Sequence, residues 1–106
     1  MRIIFSGNSW EDYTSWLSED KKMLKRINEL IKEIQRTLYE GKGKPEPLKY
    51  DLAGYWSRRI DREHRLVYLV RENDILVISC RYHYDKQKYT WPLATSREKR
   101  PFAFAV

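Results

Sequence analysis

"YWSRRIDREHRLVYLVRENDILVISCRYHY", residues 55–84, is the stretch that decides the fold. Three strand-like runs lie within it, Tyr55 to Ile60, His64 to Val70 and Ile75 to Tyr84, each rich in β-branched and aromatic residues. Asp61-Arg62 and Glu72-Asn73-Asp74 separate them as short turns, so the runs are expected to form an antiparallel meander. The last run opens as a buried strand (Ile75, Leu76, Val77, Ile78) and closes with Arg81, Tyr82, His83 and Tyr84. A core strand that ends in a cation, an imidazole and two phenols either runs out into solvent or carries a reaction at its end.

Upstream, "GKGKPEPLKY" at residues 41–50 reads as a loop. It is not a phosphate loop: that motif needs Ser or Thr after its Gly-Lys, and Pro45 follows Lys44. Before it, Leu24, Ile27, Leu30, Ile31, Ile34 and Leu38 recur three or four apart, which predicts an amphipathic helix capped by Ser18 or Asp20 and stopped at Gly41. Trp10, Tyr13, Trp16 and Leu17 predict a shorter helix, with Ser9 as N-cap and Asp12 in the fourth place of a capping pattern. RIIF, residues 2–5, suits a first strand. Strand, two helices, then three strands is an α+β domain with both helices on one face of the sheet.

One domain fits a chain of 106 residues. Apolar content of 42% argues for a folded core rather than disorder. Cys80 is the single cysteine, so no disulfide forms within the chain, and its apolar strand makes it a buried, inert thiol. Neither a signal-peptide pattern nor an apolar run of spanning length is visible, so a soluble cytoplasmic protein is expected, with no membrane partner. Net charge is +6, from 21 Lys plus Arg against 15 Asp plus Glu, which favours a polyanionic partner without requiring one. Residues 85–106 change character: Pro92, Thr95, Ser96 and Pro101 interrupt them, and they are expected to be a mobile extension outside a domain at residues 1–84.

Strand alternation sorts the candidates for chemistry. Val77, Ser79, Arg81 and His83 are expected to share one face, as are Arg65, Val67 and Leu69, while Arg59 faces away from Trp56, Arg58 and Ile60. With Glu46 these residues supply a carboxylate, an imidazole and guanidiniums. That set suits cleavage of RNA by its own 2′-hydroxyl: Glu46 as base, Arg65 and Arg59 holding the phosphoryl charge, His83 as acid. Arginine suits phosphate because its fork engages two oxygens and stays charged. Plainer readings stand beside these. Arg58 and Arg62 read better as a solvated ribbon paired with Asp61 and Glu63, Glu46 could simply satisfy Lys44 or Lys49, and His64 reads as structural. Two His and one Cys without ligand spacing make zinc unfavourable, and no cofactor is expected.

The stretches "INELIKEIQRT", "EGKGKPEPLKYDLAGYWSRRIDREHRLVY" and "SCRYHY" carry a specific resemblance. Residues 1–84 resemble the RelE toxin superfamily and, within it, the YoeB-type endonucleases. The resemblance implies a toxin of a type II toxin–antitoxin system that cleaves mRNA in the A site of the 70S ribosome without metal, leaving a 2′,3′-cyclic phosphate and a 5′-hydroxyl. By position it implies Glu46 as general base, His83 as general acid and Arg65 as the stabiliser of the transition state. Arg59, Lys49 and Tyr84 match positions that hold or stack the substrate. An antitoxin of the YefM/Phd type and a toxin homodimer are implied as well. Family members end at the residue matching Tyr84, whereas here residues 85–106 follow. The alternative is a RelE-fold protein that binds ribosome or antitoxin while its tail obstructs the site.

Overall fold

In the computed structural model residues 1–81 are described, so the expectations for Tyr82, His83, Tyr84 and the extension at 85–106 lie outside the described residues. The chain runs β1 (Arg2–Phe5), α1 (Gly7–Glu19), α2 (Lys21–Arg36), β2 (Glu46–Pro47), a 3-10 turn (Tyr50–Leu52), β3 (Trp56–Arg59), β4 (Arg65–Val70) and β5 (Asp74–Ser79). The expected meander is present as β3, β4 and β5, but it is part of a larger sheet. Five strands lie in the order β1-β5-β4-β3-β2. β1 runs parallel to β5, pairing Arg2 with Asp74 and Phe5 with Val77, and the other neighbours are antiparallel. Two residues of β2, one of them Pro47, are too few to show alternation, which is why the three-stranded reading fell short.

Both faces of this sheet are covered. On one, Trp16, Met23, Ile27, Leu30 and Ile34 of the helices bury Leu66, Tyr68, Ile75 and Val77. On the other, Leu48 and Leu52 from the loop and its 3-10 turn cover Val67, Leu76 and Ile78. That second layer explains why every residue of β5 is buried.

The helix boundaries differ from the sequence reading in instructive ways. Ser6, not Ser9, caps α1: its Oγ accepts from the Ser9 amide at 3.2 Å. Ser9 is buried instead, and its hydroxyl donates to Val77 O at 2.7 Å, 68 residues away. Asp20 does cap α2 by accepting from the Lys22 amide. α2 ends at Arg36, well before Gly41, because the Thr37 backbone turns extended. Leu38 therefore lies past the helix, though it still packs on the core.

A bulge between β4 and β5 interrupts the alternation that groups Val77, Ser79 and Arg81, although Val77 and Arg81 both face the helices. Tyr68 pairs with Val77, but its neighbour Val67 pairs with Ser79, so Ile78 is an extra residue. Beyond it, alternation no longer tells which side a residue faces.

Candidate active site

Glu46 is placed by a loop that is tied down at almost every step. The Glu33 carboxylate, held low by its hydrogen bond from Arg36, reaches the Lys42 amide at 3.3 Å. Gly41 and Gly43 take φ of +98° and +87°, backbone shapes that a side chain resists. Arg59 N donates to Gly43 O at 2.6 Å, which lays the loop on β3.

Arg58 is the central tie, and here the solvated-ribbon reading is corrected. It is 0% exposed. Its Nε donates to the Tyr68 hydroxyl (3.1 Å), Nη1 to Lys42 O (3.0 Å) and Nη2 to Thr37 O (2.6 Å). Arg58 pairs with Leu66 across β4, on the helix-covered face, so its charge is directed inward. Burial pushes the Tyr68 phenol up, against the pull of Arg58, so it stays a neutral hydroxyl that accepts from Arg58 and donates to Leu38 O. Arg62 is exposed in the turn, as expected. His64 is buried, with its ring edge-on to Trp16 at 4.8 Å between centroids, which agrees with a structural role.

The residue after Arg58 faces the other way. Arg59 pairs directly with Arg65 across β3 and β4, and Glu46 pairs with Ser57 across β2 and β3. Cross-strand partners share a face, and Ser57 pairs in turn with Val67 of the face opposite the helices. Glu46, Arg59 and Arg65 therefore stand together on one side of the sheet's β2 end. Glu46 Oε1 meets Arg65 Nη1 at 3.0 Å. That pair is open to solvent, with Glu46 at 46% and Arg65 at 22% side-chain exposure. The structure thus gives Glu46 an arginine partner rather than Lys44 or Lys49. Lys49 is exposed at the start of the 3-10 turn, three residues beyond Glu46.

Two like charges directly opposite each other repel, and one carboxylate offsets only one of them. The result is a small exposed patch with a carboxylate and an excess of guanidinium, suited to an anion that carries a proton to be removed. Beneath it the Ser57 hydroxyl is fully buried and makes no hydrogen bond among the described residues. Sequence reasoning passed over Ser57 because a serine in a strand carries no signal by itself. It also took Asp12 for a helix cap, although that carboxylate accepts from the Cys80 amide at 3.1 Å, next to the strand end expected to carry chemistry. Cys80 is buried as expected, and burial pushes its thiol far up, leaving it unreactive. No helix among the described residues is long and apolar enough to cross a membrane.

Residues 5–84 match the family described as "YoeB-like toxin of bacterial type II toxin-antitoxin system". The chain is 58% identical to Toxin YoeB of Escherichia coli K12 over 84 residues, which are 79% of this chain and all of that protein. The solved YoeB dimer from Staphylococcus aureus superposes with a TM-score of 0.75 at 55% identity, covering 79% of this chain and 98% of the other. YoeB in the heterotetrameric YoeB–YefM complex from the same organism superposes with a TM-score of 0.74 at 55% identity and the same coverage. The C-terminal residues past 84 extend beyond the end of the E. coli relative. The chain is a member of the YoeB family of toxins from bacterial type II toxin–antitoxin systems, built on the RelE-like α+β fold.

Proposed function

We propose that the protein is a ribosome-dependent mRNA endonuclease that cleaves A-site codons in the cytoplasm and so arrests translation. The carrying observation is the cross-strand Arg59–Arg65 pair with Glu46 bonded to one member. A scissile phosphate set between the guanidiniums has its charge met by donors that need no reorganisation as charge grows. Glu46 takes the 2′-hydroxyl proton, and the oxygen attacks the adjacent phosphorus. Arg65, already hydrogen-bonded to Glu46, keeps that carboxylate aimed at the phosphate. His83 protonates the departing 5′-oxygen, leaving a 2′,3′-cyclic phosphate and a 5′-hydroxyl. The nucleophile belongs to the substrate and the charge is met by arginine, so this scheme needs no metal. Lys49 and Tyr84 hold or stack the flanking nucleotides.

The YoeB–YefM complex and the YoeB dimer of S. aureus support a YefM/Phd-type antitoxin and a homodimer as the partners of this chain. The test is primer extension on translated mRNA. Cuts at A-site codons that need ribosomes and vanish in His83→Gln are the expected result. Cleavage of naked RNA at equal rate, or none by the wild type, overturns the reading.

A further inference from the structure

Ser57 sits at the centre of the patch formed by Glu46, Arg59 and Arg65. It lies directly opposite Glu46 across β2 and β3, and opposite Val67 across β3 and β4. Arg59 follows it by two residues on the same face of β3, and Arg65, two residues before Val67, is its diagonal neighbour. All three charged residues therefore adjoin one serine. That serine is 0% exposed, and its Oγ is the one buried side-chain polar atom among the described residues that makes no hydrogen bond. Buried hydroxyls are normally paired, and an unpaired one opposes folding. Two of its charged neighbours are guanidiniums, which only donate, so Glu46 is the neighbour able to accept the hydroxyl proton. Among the described residues the Glu46 carboxylate has a single hydrogen bond, from Arg65 to Oε1.

We propose that Ser57 is a positioning residue for Glu46: its hydroxyl takes hold of the carboxylate when a phosphate draws on the Arg65 fork. The inference rests on the reading of Glu46 as general base. Two demands then meet on Arg65, because the guanidinium that holds Glu46 in the free chain also faces the phosphate. A half-exposed carboxylate that loses its partner swings freely, and a base works only within hydrogen-bond reach of the proton it removes. With Ser57 bound to one oxygen of Glu46, the other stays aimed at the 2′-hydroxyl. Ser57 has no exposed surface, so it acts through Glu46 and not on the phosphate. A donor left unpaired in the free chain breaks a local rule of packing, and such breaks concentrate where a protein works.

The experiment measures single-turnover cleavage by the full chain on ribosomes programmed with a defined mRNA, over a range of enzyme concentrations, with thermal melting of each variant. Ser57→Ala removes the hydroxyl and Ser57→Thr keeps one. Glu46→Gln, with and without Ser57→Ala, completes a double-mutant cycle. Ser57→Ala is expected to melt at or above the wild-type temperature, yet to cut the saturating rate about tenfold, as losing one hydrogen bond to a charged group does. Its half-saturating concentration is expected to stay unchanged, and Ser57→Thr to recover most of the rate. In the Glu46→Gln background, Ser57→Ala is expected to slow cleavage no further. If the added methyl of Ser57→Thr unfolds the chain, the cycle alone decides. A wild-type saturating rate in Ser57→Ala, with Glu46→Gln slow, overturns the proposal and spares the functional reading. Losses that add in the double variant, or that fall only on the half-saturating concentration, also overturn it. So does a lowered melting temperature in Ser57→Ala, which marks the hydroxyl as structural. Glu46→Gln cleaving at the wild-type rate overturns the reading of Glu46 and the positioning role with it.

Discussion

Glu46 and Arg65 meet at 3.0 Å across a separation of 19 residues, although Glu46 belongs to a strand of only two residues. The pair is solvated, and exposed ion pairs contribute at most about 1 kcal/mol. Its worth therefore lies in aim. Glu46→Gln is expected to leave the urea midpoint of unfolding nearly unchanged while lowering the saturating cleavage rate. Half-saturation should not weaken, because the neutral amide no longer competes with phosphate for Arg65. A matching loss of stability and rate would show the pair to be structural.

Arg58 and Arg62 should behave as opposites. Arg58→Met leaves the buried Tyr68 hydroxyl and the part-buried Thr37 and Lys42 carbonyls without their donor. Unpaired buried polar groups cost about 1–3 kcal/mol each, so a loss of several kcal/mol is expected in denaturant titration. Arg62→Met, in an exposed turn, is expected to change stability by less than about 0.5 kcal/mol.

Gly41→Ala should unsettle the loop that carries Glu46. The residue has φ of +98°, and an added Cβ would collide with the Glu33 carboxylate, which Arg36 already holds at 2.8 Å. A loss of about 1–3 kcal/mol is expected on thermal melting, with cleavage reduced further than stability alone explains. Gly54, whose φ is also +98° but which has open space around it, provides the control for backbone strain without collision.

Asp12 predicts a pH signature. Its carboxyl is raised from 3.8 to about 6 in the folded chain, chiefly by burial. Below about pH 4 the folded and unfolded forms are both protonated, and Asp12 leaves stability unchanged. As pH climbs from about 4 to about 6 the unfolded chain releases the proton first, so stability falls across that window and then levels. Asp12→Asn should therefore gain on the wild type in melting temperature through that window and hold the gain at pH 7. A constant offset at every pH would refute the assignment.

Much of this was legible in the sequence, for identifiable reasons. β3, β4 and the start of β5 announce themselves by composition and turns, and α2 by its apolar stripe. The opposed directions of Arg58 and Arg59 follow from strand alternation alone, but their environments do not: only the helix packed above shows that Arg58 is interior. Glu46 and Arg65 could be grouped in one candidate site but not paired, because register is a tertiary property. The bulge at Ile78 defeated alternation locally, and Ser9 and Asp12, good capping residues by type, are committed to Val77 of β5 and to Cys80 just past it, each 68 residues away.

The parallel pairing of β1 with β5 also sets a timetable for synthesis. Ile3 has no strand partner until Ile75 exists, and β5 must enter between β1 and β4 before the sheet is continuous. Such long-range pairing is slow to form and comes last. Until then α1 has no strand end to hold, and the first residues made wait on nearly the last. Under the function proposed above, a growing chain would be inert toward the ribosome that is making it until β5 has been made and paired. On that same proposal, an antitoxin already present in the cell would meet the chain at the moment of its folding, before its first encounter with a ribosome.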